Sequence, residues 1–514
     1  MARPLPILWL HVALLSTCPP LRADKPDLDL PADSPVMESL RRVQSRTGTV
    51  LPSQASPLRE SAVLKAGAGA WSPFDSSLNA TELRALRPSL VFWSDPLRGH
   101  DFRLSPVARV GFLANSQSTS LSDSNSDSEQ TAFLTGMGIT VSGKAFSRLS
   151  FYSHAVIYTE FTDRAQFTHQ FDPRFGETYS VEKSAGDSLL KDRTFNRFEN
   201  YLLLDLPWIT LKAGRDRVRM GPGYFSSSMA GAGTPPYYML EARIDFAPWL
   251  SLDDYLLKMT DTDYDIRKYA NLHRFEFKPR PWLEIGFQDI VIYQDRDPDW
   301  AYLLPLVPLS FAEANNGGRD NAAMGFDFLC ARIKNLSFWG EVFIDDLVGP
   351  ATFFDGFWEN RWSGLAGFQA VSPWPEADAD LVVEYGHVEP WTYNGRKPQT
   401  SFRHYNVSSA SKLGPDSRSL DVQASYRPTA WLQLRSRAEW NEKGIGRGAT
   451  LGTIHDDALD GTDKEFLGGA TLLETRFTQE TSLLWRSFVQ VRLRWTALPG
   501  TGGSELGADA VFQW

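Results

Sequence analysis

From about residue 102 to the end of the chain, side chains alternate with a period of two, and the second face of the alternation is charged. Residues 419–440, SLDVQASYRPTAWLQLRSRAEW, show it best. Leu420, Val422, Ala424 and Tyr426 alternate with Asp421, Gln423, Ser425 and Arg427. After a turn, Leu432, Leu434, Ala438 and Trp440 alternate with Gln433, Arg435, Arg437 and Glu439. The pattern returns at Val489, Val491, Leu493 and Trp495, at Leu381, Val383 and Tyr385, and at Phe275 and Phe277. A period of two is that of a strand. A soluble sandwich alternates in the same way. Three or four charges pointing the same way on many strands, however, cannot fill a dry core. They can line a wet or ion-paired interior while the apolar face meets lipid.

The connections agree. Pro and Trp recur together at tight turns: LPW at 206–208, APW at 247–249, RPW at 280–282, and Pro428 with Trp431. Pro suits a strand end, and Trp suits the headgroup girdle. The opposite connections are long: 160–196, 389–417 and 441–465. Short turns on one side and long polar loops on the other are the asymmetry of outer-membrane barrels. The last strand, ADAVFQW, ends on Trp514 with Phe512 and Ala510 on the same face, which is similar to the recognition signal of such barrels. At roughly 10 residues per strand plus turns, the region accommodates on the order of 16–18 strands, an even number if both ends are periplasmic.

The N-terminus reads as an export signal, with Arg3 before the apolar run Leu5 to Leu15, too short to span a bilayer as a helix. Cleavage is expected after Ala23. Leu15-Ser16-Thr17-Cys18 also resembles a lipoprotein processing box, although a cleaved signal with an incidental Cys is the favoured reading. Beyond it there is no run of 18 apolar residues, so crossing a membrane requires strands closed into a barrel. Cys330 is the only other cysteine of the two. The expected organisation is a signal peptide at 1–23, a periplasmic helical preface at 24–101 and the barrel at 102–514. In the preface, a helix is expected to start at Ser34-Pro35 and end at Gly48, with a second one around Asn79 to Leu86.

Composition excludes several functions. With 52 Lys+Arg against 62 Asp+Glu the chain carries a net charge of −10, unsuited to nucleic acid. HExxH, GxSxG and Walker motifs are absent, and the eight His show no metal-ligand spacing. Asp123, Asn125 and Asp127 imitate the start of a calcium loop, but Ser128 and Leu134 stand where Gly and Glu are required. The reading is therefore a non-enzyme without cofactor or metal.

The central stretch carries more than strand patterning. GRDRVRMGPGYFSSSMAGAGTPPYYMLEARIDFAPWLSL (214–252) is followed by KYANLHRFEFKPRPWLEIGFQDIVIY (268–293), YLLPLVPLSFAEANNGGRDNAAMGFDF (302–328) and FWGEVFIDDL (338–347). This succession resembles the capsule-assembly Wzi family of outer-membrane proteins, most clearly over 198–347. The resemblance implies an all-β, eighteen-stranded transmembrane barrel with a largely blocked lumen and helical elements on the periplasmic side. It implies binding of capsular or extracellular polysaccharide to help attach or assemble it at the cell surface, lectin-like and non-catalytic. Outer-membrane lipid and other capsule-export components are the further partners it suggests. The chain departs from the family pattern at MAGAGTPPYYM, where a more polar run is expected, so the glycan or its context is open. A porin or polysaccharide-export channel is the alternative.

Arg215, Asp216, Arg217, Arg219 and Tyr224 are the first candidate ligand residues. Strict alternation past Gly214 puts Arg215 and Arg217 on the lipid side, so a bulge or an exit into a loop is expected there. The functional reading is a loop in the lumen or over its mouth whose guanidiniums bind an acidic glycan. The competing reading is an Arg–Asp network bracing the barrel, and it is favoured. Glu313, near Tyr302 and Phe311, ends the proline-rich LLPLVPLS segment, expected to plug or constrict the lumen. Trp300, Trp358, Trp362 and Trp391 are candidates to stack on sugar rings, with loop packing the commoner fate.

Overall fold

The computed structural model describes residues 29–30, 36–51, 58–59, 90–95, 100–115, 130–146, 148–162, 191–231, 233–261, 264, 266–304, 306–349, 353–374, 377–405, 407–429, 431–485, 489–499 and 503–513. The export signal with Cys18, the expected helix at 79–86, the calcium-like run at 116–129 and Trp514 lie outside these residues.

The alternating segments form one closed antiparallel wall of eighteen strands. In chain order these are β1 (His100–Asn115), β2 (Gln130–Ala145), β3 (Leu149–Thr162), β4 (Lys191–Asp205), β5 (Ile209–Asp216) and β6 (Tyr237–Ala247). Then come β7 (Leu250–Met259), β8 (Lys268–Arg280), β9 (Leu283–Gln294), β10 (Asn321–Ile333), β11 (Leu336–Asp346) and β12 (Arg361–Val371). The last six are β13 (Ala379–Val388), β14 (Ser417–Thr429), β15 (Leu432–Gly444), β16 (Thr471–Trp485), β17 (Val489–Leu498) and β18 (Gly503–Gln513). Each strand pairs with its sequence neighbours. β18 closes onto β1 from Gln513↔Val107 to Glu505↔Asn115. A short strand, Leu90–Asp95, pairs with the first residues of β1 and continues that edge below β18.

The wall is apolar outside and charged inside. Met137 is 75% exposed and Ile157 61%, whereas Arg274 is fully buried with Asp327, Glu276 and Glu284 around it. Among the described residues no helix is long and apolar enough to cross a membrane. The tight turns fall at one rim, with Trp208, Trp249 and Trp431 exposed beside them. That rim is the periplasmic one, and the long connections lie at the other.

Helix α1 (Val36–Thr47) ends at Gly48, as the sequence anticipates. It lies inside the periplasmic mouth, because its chain is tied to the tight turns: Asn335 donates its amide to Ser45 O at 2.7 Å, and Val50 to Pro281 O at 2.7 Å. Its polar residues Arg41, Arg42, Gln44 and Ser45 are all buried. This is the expected outcome for a helix set in a charged lumen.

Candidate functional site

Between β5 and β6 the chain leaves the wall and folds into the lumen. The turn Gly221-Pro222-Gly223 directs it there. Gly221 has φ +92°, and a Cβ at that position would lie 2.4 Å from Glu341 Oε1. The loop then wraps its amides around two carboxylates of the opposite wall. Glu341 on β11 accepts from Gly223 N at 2.7 Å and Ser228 N at 2.7 Å. Glu384 on β13 accepts from Tyr224, Phe225 and Ser226 N, at 2.5, 2.9 and 2.9 Å, and from Trp339 Nε1 at 2.9 Å. Charge-assisted bonds of this kind are about twice as strong as neutral ones.

From below, α1 holds the same loop. Arg41 donates to Pro222 O at 2.9 Å and Gly223 O at 2.8 Å, and lies over the Tyr224 ring. Burial, with Arg219 nearby, draws the Arg41 guanidinium down to about 9. Glu38, also on α1, meets Arg427, Arg435 and Gln433 of the wall. Burial alone would raise its carboxyl; Arg435, Arg427 and Arg42 together bring it below the ordinary value.

From above, the connection 389–416 closes over the loop. Tyr393 Oη donates to Ser228 O at 2.8 Å, and Gly231 N to Ser409 O at 2.8 Å. Lys268 Nζ holds the carbonyls of Ser401 and Arg403, and Arg403 pairs with Asp261 at 3.0 Å. His404 accepts from Thr260 N at 2.9 Å and stacks on Tyr237, and burial pushes its imidazole down to about 3. The result is three layers, α1, the 217–236 loop and the 389–416 connection, bonded in series. They occupy the part of the lumen faced by β5 to β15.

The residues singled out from sequence divide. Asp216 accepts from Lys212 Nζ at 2.6 Å, and Arg217 pairs with Glu199 at 3.3 Å, where Arg197 also pairs at 2.8 Å. Arg219 donates to the carbonyls of Gly223 and Tyr224. These contacts match the bracing alternative. Of the two outcomes expected at Gly214, a bulge or an exit into a loop, there is no bulge, and the exit comes after Asp216. β5 stays in register with β4 and β6 to its end, with Gly214 so close to β4 that a Cβ would meet Asn200 O at 2.1 Å. Arg215 therefore keeps to the outward face, where it lies 4.0 Å from the Phe198 ring centroid and 5.5 Å from that of Tyr238 and donates to Phe198 O at 2.7 Å. These rings and the Phe198 carbonyl enclose the guanidinium, which is buried although it lies on the outward face. Arg217, beyond the strand, is the residue that turns inward.

Glu313 and the LLPLVPLS segment are a correction. They do not enter the lumen. They lie on the outside of the barrel over β8 and β9, where Leu309 and Ala312 cover Val291 and Tyr293. Alternation places Ile290 and Ile292 in the lumen against the inner loop, so Val291 and Tyr293 point outward. Glu313 accepts the amide of Asp320 in its own segment at 3.1 Å.

Three of the four ring-stacking candidates are engaged in ring contacts within the protein. Trp358 stacks on His455 with centroids 3.8 Å apart, Trp391 meets the edge of the same imidazole, and Trp362 stacks on His387. Trp300 is exposed, but on the outer segment. Sequence reading missed Glu341, Glu384 and Arg41. Their only signal was a carboxylate on the inward phase of two strands and a basic residue in the preface helix.

A wall with lipid outside, ions within and a lumen filled in bonded layers defines an outer-membrane β-barrel, and the protein resides in the outer membrane. The chain belongs to the capsule assembly protein Wzi family, whose model matches residues 116–496. Among solved structures it is similar to Wzi of Escherichia coli, described as a carbohydrate-binding β-barrel involved in group 1 capsule assembly. The TM-score is 0.59 at 13% identity, over 95% of this chain and 99% of that one. OccAB2 of Acinetobacter baumannii (TM-score 0.46, 10% identity, 80% and 98% covered) and a BenF-like porin of Pseudomonas fluorescens (0.45, 11%, 80% and 98%) are further matches. A comparison with curated proteins returned no match.

Proposed function

We propose that this barrel binds capsular or extracellular polysaccharide at its outer rim and holds it at the cell surface, without catalysis and without conducting it through the lumen. The observation that carries the reading is the stack of α1, the 217–236 loop and the 389–416 connection. Each layer is bonded to the next and to the wall. A channel has no use for such a stopper; a platform for surface loops does. The family's role in capsule assembly and the carbohydrate binding of the Escherichia coli relative support the choice of ligand. In this reading Asp216, Arg217, Arg219 and Tyr224 hold the stopper, Arg215 ties β5 to Phe198 and Tyr238 of its neighbours, and Glu313 shapes the outer segment. The glycan meets the extracellular loops, where Arg396 and Lys397 are exposed.

Deletion of the protein tests the proposal. Polysaccharide should still be made and exported, but should appear in the medium instead of on the cells. Retention inside the cell, together with large steady currents through the purified protein in planar bilayers, would establish the export-channel alternative.

A further inference from the structure

The outward face of β7 to β9 is not uniformly apolar. Towards the periplasm it carries Phe275, Phe277, Ile285 and Phe287. Towards the outside the same phase of the strands carries Asp254, Asn271, His273 and Asp289. His273 lies 3.4 Å from Asp254 through Nε2 and 3.4 Å from Asp289 through Nδ1. Its imidazole is buried, covered by the connection 295–320 that folds back over the wall.

That connection reaches membrane depth. Helix α2 (Leu309–Asn315) begins with Leu309 donating its amide to Asp289 Oδ2 at 2.7 Å. Asp289 stands six residues along β9 from the periplasmic turn. At about 3.3 Å per residue and a tilt of about 40°, that is roughly 15 Å above the turn, within an apolar band about 25 Å tall. Up to Ala312 the segment also carries large apolar side chains on both faces. Tyr302, Leu309 and Ala312 face the wall, while Trp300, Leu304, Leu306 and Phe311 are exposed, Trp300 at 83% and Leu306 at 68%.

We propose that residues 300–304 and 306–312 form a flap inserted in the outer leaflet, with lipid acyl chains against its outer face. Irregular backbone is costly in hydrocarbon unless its polar groups are satisfied within the protein. Here six amides are satisfied locally. Ala301 N donates to Asp299 Oδ1, Tyr302 N to Asp299 O, Leu303 N to Trp300 O, Val307 N to Leu304 O, and Phe311 and Ala312 N to Pro308 O. Pro308 has no amide hydrogen to satisfy. The outer face of the flap is continuous with the bare wall below it, where Phe326 and Phe328 are exposed. At its edge Leu303 borders a groove of about 400 Å³ lined by Leu202, Leu204, Leu211, Leu240 and Leu256, with Lys212, Glu241 and Asp254 also on its walls. The flap shields His273 and Asp289 from lipid, and its own apolar face takes the place of the wall it hides.

The test is spin-label accessibility of the full-length protein in liposomes. In a Cys18→Ser, Cys330→Ser background, Leu306→Cys and Phe311→Cys carry a nitroxide, with Phe328→Cys as the lipid-facing reference and Asp457→Cys as the aqueous one. Leu306 and Phe311 are expected to match Phe328: frequent collision with oxygen, and loss of collision with a nickel chelate relative to Asp457. Nickel access equal to that of Asp457 would place the flap in water and overturn the proposal. Protection from both reagents would overturn it too, by showing the face covered by protein, such as a second copy. The outcome is independent of the polysaccharide reading.

Discussion

Glu341 and Ser228 stand 113 residues apart, and the carboxylate of the one accepts the backbone amide of the other at 2.7 Å. This bond joins the wall to the middle layer of the stopper. With its counterpart at Glu384 it decides whether the lumen is filled.

Glu384→Gln should loosen that layer. The amide cannot replace a carboxylate that accepts three backbone amides and an indole N–H. Each bond to a charged acceptor contributes roughly 1.5–3 kcal/mol. The expected result is a barrel that still assembles but shows new proteolytic cleavage within 217–236 and increased planar-bilayer conductance, more so with Glu341→Gln added.

Arg217→Ala removes a cation from Glu199, with Arg197 remaining. Breaking a buried pair costs about 3–5 kcal/mol when a charge is left alone, so the loss here should fall below that range. Heat-modifiability on gels should report a lower unfolding temperature. Arg215→Ala, which removes a guanidinium stacked on Phe198 and Tyr238, should shift it less.

Gly214→Val forces a side chain into the space held by Asn200 O and Tyr201. The β4–β5 hairpin has to open to admit it, and the folded, heat-modifiable band should be lost. Gly233→Val, where no atom lies within 4 Å of the added Cβ, is the tolerated control.

Acid should release the stopper from both ends. The pKa of His404 is lower in the folded chain, so its contribution is complete above the ordinary 6.5 and fades as pH falls toward about 3. The slope is at most about 1.4 kcal/mol per pH unit. Glu38 is likewise held below its ordinary 4.5, so its contribution is lost as pH falls past that value through its folded one. Hydrogen exchange of α1 and the 389–416 connection should rise between pH 6.5 and 3, and His404→Gln should flatten the upper part of the profile.

Arg396→Ala with Lys397→Ala should weaken binding of an acidic capsular glycan several-fold at low ionic strength, with the difference shrinking as salt screens the charges. A salt-independent difference, or none, would move the contact elsewhere on the outer rim.

Much of the architecture was legible from the residues. The wall, its tight turns at LPW, APW and RPW, and the end of the preface helix at Gly48 follow from period, proline and glycine placement. The course of the connections was not. GPGYFSSS and LLPLVPLS both read as segments unfit for a strand, and one lies within the barrel while the other lies outside it. Glu341 and Glu384 read as two more inward carboxylates, without a mark to show that a loop's amides would converge on them.

The sequence by itself determined which side of each strand meets lipid, because alternation is local and a slip of one residue would expose every charge to hydrocarbon. Only the closed structure decided which surface each long connection covers. That choice depends on polar groups brought together by closure: two carboxylates inside that draw in the amides of 223–228, and the outward His273 and Asp289 that the flap covers.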